Sequence, residues 1–159
     1  MKTILAAVDF SPATEAVVAA AATHARASGS RIVLLHVAPD YAALSSVAEG
    51  FSYPLDMGTP LPVDQARMTE VEKAAENRLK NIAFKLKGLE VETIVTAGTP
   101  PEEILRVSRE SAAGLIVMGL PTHSPLYELI AGSATYGVLK KAPCQLLFVP
   151  AGKSASKVA

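Results

Sequence analysis

Short apolar runs alternate along the chain with longer segments in which apolar residues recur every three or four positions. The apolar runs lie at 3–8, 31–37, 91–96, 115–118 and 145–149, and the run at 91–96 is more mixed than the others. Near-continuous hydrophobic runs of this length are typical of strands buried on both faces of a parallel sheet. Because these strands alternate with helices, we predict an α/β fold: an open, doubly wound, five-stranded parallel sheet with helices on both faces.

Four helices are predicted from their end signals and apolar periodicity. The first has Ser11 as N-cap and Pro12 as its first residue, and it ends before Gly29. The second, at about 64–87, carries one apolar stripe of helical spacing: Met68, Val71, Ala75, Leu79, Ile82 and Phe84 or Leu86. The third opens at 99–102 with a capping-box spacing and prolines in its first turn. The fourth, at about 133–141, is stopped by Pro143.

At 159 residues, the chain fits one domain, which we place at residues 1–150. A long connection at 38–63 contains four prolines and two glycines. Such a connection is usually functional or poorly ordered, and three interpretations fit it: a lid over a ligand, a dimer contact, or an unordered segment. The polar residues 151–159 are expected to form a flexible tail.

The amino-acid composition argues against several kinds of binding partner and cellular location. Fifteen basic and fifteen acidic residues balance, and no tryptophan is present, so neither nucleic acid nor a membrane surface is an expected partner. No apolar run approaches the roughly 20 residues of a membrane span. The apolar start at 1–8 is interrupted by Asp9, so we interpret it as a strand and not as a signal peptide. The single cysteine, Cys144, cannot form an internal disulfide, and we expect a cytoplasmic protein.

The sequence does not contain the residue patterns of several common binding and catalytic sites. There is neither a G-x-x-x-x-G-K-[ST] loop nor a G-x-G-x-x-G after the first strand. A response regulator would need an acidic pair where Asp9 stands alone. No nucleophile has an adjacent base, no acidic pair suits a metal, and the isolated His24 and His36 are interpreted as packed or surface residues. We therefore predict no catalytic residues, no metal site and no enzyme activity, although a slow ATPase or autophosphorylation, which these residues do not indicate, would be compatible with the chain.

The segment that follows the fourth strand is the most informative. Gly119 ends the strand, a loop follows, and Gly132-Ser133 opens the next helix, where free backbone N–H groups favour an anion. This segment, together with Val8-Asp9-Phe10-Ser11, 35–37 and 142–144, closely resembles the universal stress protein family (a UspA-like domain). The nucleotide-binding branch of that family reads G-x2-G-x9-G-[ST] here. In this chain Thr122 occupies the position of the middle glycine.

The resemblance implies the adenine nucleotide alpha hydrolase-like fold with strand order 3-2-1-4-5, and a ligand at the switch point between strands one and four. It implies an adenine nucleotide, ATP or another, with or without Mg²⁺. Asp9 would bond the ribose or adenine, and Ala7, Val8, Val37 and Met118 would lie around the base. The phosphates would be held by the remaining residues of the predicted site: Gly119, Thr122, His123, Gly132, Ser133 and Ala134.

Two residues depart from the family pattern. Pro121 removes a backbone donor, and the β-branched Thr122 stands where glycine would allow a positive φ. Two hypotheses therefore stay open: a regulatory module of the stress response that binds adenine nucleotides, and a nucleotide-free interaction protein of the same fold with a degenerate phosphate loop. The apolar fifth strand, 145–149, is predicted to lie at a sheet edge and to form a homodimer.

Overall fold

The computed structural model describes residues 2–39, 65–120 and 134–150. The elements within these described ranges are, in chain order, β1 (Thr3–Ala7), α1 (Thr14–Ser28), β2 (Arg31–Ala38), α2 (Gln65–Lys85), β3 (Val91–Ala97), α3 (Pro100–Glu110), β4 (Ala113–Leu120), α4 (Ala134–Lys141) and β5 (Gln145–Pro150). The predicted lid or loop at 38–63 begins with the last residue of β2, and its residues 40–63 lie outside the described residues, as does the tail 151–159.

The five strands form one parallel sheet in the order β3-β2-β1-β4-β5. This confirms the predicted strand order and leaves β3 and β5 as the two edges. β4 is longer than its apolar core predicted, because Gly119 and Leu120 pair with Val149 and Pro150 of β5. Backbone pairing extends this strand beyond the residues that hydrophobicity alone identifies.

The sheet separates two hydrophobic layers. One layer contains Leu34 of β2 with Val17 of α1 and Leu79 of α2. The other contains Leu35 of β2 with Ile104 of α3 and Val138 of α4. Successive residues of a strand point to opposite faces, so each central strand supplies both layers. Helices therefore cover both faces, as predicted.

The start of α1 differs from the prediction. The helix begins at Thr14, with Ala13 before it, and not at Ser11 and Pro12. Ser11 instead accepts the Ala13 N–H through its Oγ at 3.2 Å, within a turn that precedes the helix. The other end agrees with the prediction, since Gly29 follows α1 in the left-handed conformation (φ 65°) that ends many helices.

Two further helix predictions need correction. Val71, predicted in the apolar stripe of α2, is 43 % exposed, whereas Leu79 is buried as predicted. Of the two alternatives predicted for the end of the stripe, Leu86, which directly follows α2, is buried and Phe84 is 80 % exposed. At α3, Thr99 does precede the helix with prolines in the first turn, but its side chain makes no capping hydrogen bond. The predicted capping box is therefore not formed. None of the helices in the described ranges is long and apolar enough to cross a membrane.

Candidate functional site

The candidate site lies where β1 and β4 end side by side. Ala7, the last residue of β1, pairs with Met118 of β4 on one side and with Leu35 of β2 on the other. From β1 the chain continues to β2 on one side of β1, whereas β4 lies on the opposite side, so the order of the strands changes direction at β1. In open parallel sheets a crevice forms at this change of direction, outside the carboxyl ends of the strands.

An apolar row borders this crevice on the face of the sheet covered by α3 and α4. Met118 is buried in that layer, and Ala7 and Val37 pack against it half-buried. All three were predicted to lie around the base, and they share one face of three neighbouring strands. Such a row offers an apolar surface suited to a flat, weakly polar ring.

Asp9 follows β1 by two residues and is exposed. Its Oδ1 accepts the Ser11 N–H at 3.0 Å. Within the described ranges Oδ2 makes no hydrogen bond, so one carboxylate oxygen is held by the turn and the other is available to a hydroxyl or amino donor. Nearby, the Thr14 Oγ1 in the first turn of α1 is buried without a hydrogen-bond partner in the part of the chain that the structure describes.

Val8 contributes differently from its neighbours. Its side chain is 4 % exposed and belongs to the layer of α1 and α2, opposite Ala7 and Val37. Its N–H donates to the Leu35 carbonyl at 2.8 Å, and its carbonyl lies 2.9 Å from His36 Nδ1. Both polar groups of Val8 thus already have protein partners, and its predicted contact with a ligand stays a prediction.

The predicted phosphate residues are only partly placed. Gly119 lies half-buried in β4, one residue beyond Met118 and beside the start of α1. Ala134 is the first residue of α4. Thr122, His123, Gly132 and Ser133 lie outside the described residues, together with Pro121. The structure therefore places Ala7, Asp9, Val37, Met118 and Gly119 at the carboxyl ends of the central strands, and their contact with a ligand stays a prediction.

Sequence reasoning missed three residues beside Asp9. Phe10 has a φ of 59°, its ring lies 4.2 Å from the His36 ring, and the Arg78 Cζ lies 4.0 Å from the Phe10 centroid. The sequence alone predicts His36 only as a packed or surface residue. The sequence offered one signal for these contacts: Phe10 directly follows Asp9, so this bulky residue lies in the same tight turn as the carboxylate.

Charged groups gather at the neighbouring edge strand. Thr96, which pairs with Val37, donates its hydroxyl to Glu103 Oε2. Glu103 also accepts a hydrogen bond from Arg106 Nη2 at 2.7 Å, and Arg106 forms a second ion pair with Glu110. The hydrogen bond from Arg106, and then that from Thr96, lowers the pKa of Glu103 below its ordinary value. This network joins β3 to α3 close to the apolar row.

The described ranges contain no group of three or more His, Cys, Asp or Glu residues that could hold a metal ion. Cys144 is half-buried, and burial raises the pKa of its thiol. A raised pKa keeps the thiol protonated and poorly nucleophilic.

The model of the universal stress protein family matches residues 1–150. The chain belongs to this family. It is 30 % identical over 148 residues to universal stress protein YxiE of Bacillus subtilis, with 92 % of this chain and 97 % of the relative covered. Among solved structures, the protein MJ0577 is similar at a TM-score of 0.71 and 26 % identity, with 96 % of this chain and 98 % of that chain covered.

Two other solved universal stress proteins carry ligands. One, in complex with cAMP, is similar at a TM-score of 0.64 and 16 % identity, with coverages of 95 % of this chain and 98 % of that one. Another, from Archaeoglobus fulgidus, is in complex with dAMP; it has a TM-score of 0.60, 22 % identity, and coverages of 93 % and 96 %. At these identities the likeness establishes the shared universal stress protein fold.

Proposed function

We propose that this universal stress protein binds an adenine nucleotide in the crevice at the carboxyl ends of β1 and β4 and serves as a regulatory module of the stress response. The observation that carries the proposal is the exposed Asp9 carboxylate, held by Ser11 beside the apolar row of Ala7, Val37 and Met118. A carboxylate next to an apolar surface suits a nucleoside, which joins hydroxyl groups to a flat ring.

The family complexes with cAMP and dAMP support the ligand class, because both ligands contain adenine and a phosphate group. ATP with Mg²⁺ is the finer form of the proposal. The Mg²⁺ would be held chiefly by phosphate oxygens, as is usual when few protein carboxylates are near. We further propose that the protein is cytoplasmic, forms a homodimer and is not an enzyme.

A second candidate function is a nucleotide-free interaction protein of the same fold. Its supporting observation is the sequence of the phosphate loop, where Pro121 lacks a backbone donor and Thr122 replaces the family glycine. In that case the apolar row and Asp9 would remain as inherited features of the fold without a ligand.

Calorimetric titration with AMP and with ATP distinguishes the two candidates. We expect binding by the parent protein and a loss of about tenfold or more in affinity for Asp9→Asn, because a charge-assisted hydrogen bond to the ligand is weakened. The matched control is Glu15→Gln, which removes a nearby exposed carboxylate in the first turn of α1. Its affinity should stay close to that of the parent.

Thermal unfolding gives an independent measurement. A ligand at 100 times its Kd stabilises the folded state by about 2.7 kcal/mol, so millimolar nucleotide should raise the Tm measurably. If nucleotide at that concentration produced no binding heat and no Tm shift, nucleotide binding would be refuted and the interaction protein would be favoured.

A further inference from the structure

His36 contacts the residues on both sides of Asp9. Its Nδ1 lies 2.9 Å from the carbonyl oxygen of Val8, which precedes Asp9, and its ring stacks at 4.2 Å and 30° on Phe10, which follows it. A carbonyl oxygen only accepts, so Nδ1 carries the hydrogen and donates it. A single imidazole thus holds the backbone before Asp9 and the side chain after it.

Phe10 occupies a conformation that bulky residues avoid. Its φ of 59° lies in the left-handed region, which is strained for a residue with a large side chain. Strain of this kind persists only where the surroundings fix it, and it concentrates at functional sites. Here the fixing contacts are the His36 ring and the Arg78 guanidinium, whose Cζ lies 4.0 Å from the ring centroid.

The left-handed turn at Phe10 determines where the carboxylate of Asp9 points. It brings the Ser11 N–H back to Asp9 Oδ1 at 3.0 Å, although the Asp9 side chain is exposed and has no core packing to orient it. The orientation of Asp9 therefore depends on the three residues that hold the turn. We call Phe10, His36 and Arg78 the Asp9 clamp.

We propose that the Asp9 clamp positions the Asp9 carboxylate toward the ribose hydroxyls of the nucleotide, so that Phe10 and His36 are positioning residues for ligand recognition. This inference rests on the proposed function. Tying β1 to β2 does not require the clamp, because the parallel ladder already joins these strands from Thr3↔Arg31 to Ala7↔Leu35. Phe10 also packs half-buried against the layer of α1 and α2, and the variants below separate this packing from positioning.

The test compares the affinities for AMP and for 2′,3′-dideoxy-AMP, which lacks the ribose hydroxyls. Their ratio measures the contribution of those hydroxyls, and we expect Asp9→Asn to reduce it about tenfold, the effect of one good hydrogen bond to a charged group. Phe10→Gly, which allows the same φ without the ring, and His36→Phe, which keeps a ring without the donor, should lower the ratio in the same direction.

Matched variants separate positioning from general packing. Phe10→Tyr keeps the ring and should keep the parent ratio, and His36→Asn keeps a donor near Nδ1 and should restore part of it. Phe84→Ala removes an 80 % exposed phenylalanine from α2, and should change nothing. Because Phe10 acts through Asp9, adding Phe10→Gly to Asp9→Asn should produce no further loss in the ratio.

Hydrogen exchange of the Ser11 amide tests the clamp without any ligand. This amide donates to Asp9 Oδ1, so it should exchange several-fold faster in Phe10→Gly and His36→Phe than in the parent. Unchanged exchange, or AMP binding with an unchanged ratio in both variants, would refute the clamp while leaving the proposed function intact. Failure of the parent to bind AMP would refute the proposed function and, with it, the role in recognition.

Discussion

Gly119 of β4 lies directly against Ala13 at the start of α1. A Cβ built on Gly119 would stand 3.2 Å from the Ala13 Cβ and 3.8 Å from the Val17 Cγ2. The first contact is tighter than ordinary van der Waals packing, so the lack of a side chain lets the first turn of α1 approach the sheet. At this position glycine serves the packing of the helix that borders the crevice, besides the predicted approach of the backbone to phosphate.

This contact predicts a compensating pair of substitutions. Gly119→Ala should destabilise the fold by about 1 kcal/mol, the lower range for overpacking, because Ala13 and the start of α1 must move. In an Ala13→Gly background the same substitution should cost much less. Chemical denaturation of the four proteins measures the coupling. Equal losses in both backgrounds would mean that Ala13 does not set the requirement for glycine.

The buried strands could be predicted because they follow from a hydrophobic pattern that tertiary context rarely overrides. The runs around Leu5, Val33 and Val117 are apolar on both faces, as a covered parallel sheet requires. The placement of Asp9 at the carboxyl edge followed from its position just after such a run. The order itself came from the family resemblance, since hydrophobic periodicity does not specify which strands are neighbours.

The errors, and the choice left open between Phe84 and Leu86, arose where two local signals competed. Ser11 and Pro12 carry ordinary helix-start signals, but the left-handed Phe10 sends the Ser11 amide to Asp9, and the helix begins three residues later than Ser11. Phe84 and Leu86 both fit the helical spacing of α2. Only the seating of the helix on the sheet buries Leu86 and exposes Phe84. The Asp9 clamp joins residues 10, 36 and 78, and no local pattern reports such distant contacts.

The packing of α4 on α3 predicts a strong effect at Gly137. A Cβ at this position would lie 2.7 Å from the Cβ of Pro101 and 3.1 Å from its Cγ, and the proline ring cannot rotate away. Gly137→Ala gains about 1 kcal/mol of helix propensity but overpacks a rigid contact at about 1–3 kcal/mol, so we expect a lower Tm. Leu139→Ala, at a 53 % exposed site on the same helix, is the control and should have a small effect. A Tm for Gly137→Ala equal to or above that of the parent would contradict the contact.

The Glu103 network predicts a dependence of stability on pH. Hydrogen bonds from Arg106 and Thr96 lower the pKa of Glu103 from its ordinary value of 4.5. A group with a lowered folded-state pKa contributes stability above its unfolded pKa and loses that contribution as the pH falls through the folded-state value. At pH 7, Glu103→Gln should therefore cost about 1 kcal/mol, since its partner Arg106 is partly exposed.

The difference between the parent and Glu103→Gln should shrink as the pH is lowered below 4.5, because the parent carboxylate then becomes protonated. Glu102→Gln, one residue earlier in the same first turn, controls for the interaction with the helix dipole. Denaturant titrations from pH 7 downward check both expectations. A constant difference across this range would show that the charge of Glu103 is not what stabilises the network.

The sequence of the predicted phosphate loop leads us to expect a preference among nucleotides. Pro121 and Thr122 both reduce the capacity of the backbone to contact phosphate oxygens, so ATP should bind little better than AMP. The double variant Pro121→Gly with Thr122→Gly should then gain affinity for ATP selectively, while its affinity for AMP serves as the internal control. Calorimetry with both nucleotides measures this, and a variant that binds each as the parent does would show that the loop does not hold the terminal phosphates.

The apolar edge strand β5 leads us to predict that the protein forms a homodimer. β5 is an edge of the sheet, and its four central residues, Leu146 to Val149, are all apolar and half-buried. An apolar edge without lysine or an inward charge exposes free backbone groups that pair readily with another strand. The opposite edge, β3, is interrupted by Glu92 and Thr93. A two-fold axis at β5 would place the same strand of a second copy against this edge.

Light scattering on two matched variants tests this interface. Leu147 of β5 and Val95 of β3 are both partly buried residues of edge strands, and both pack against the layer of α1 and α2. A lysine at either position should cost similar packing energy, so a general loss of stability would affect both variants alike. If β5 is the interface, the parent and Val95→Lys should be dimers and Leu147→Lys a monomer, because a charge would be placed where the two strands meet. A monomeric parent, or a Leu147→Lys variant that remains a dimer, would show that the copies do not associate through β5.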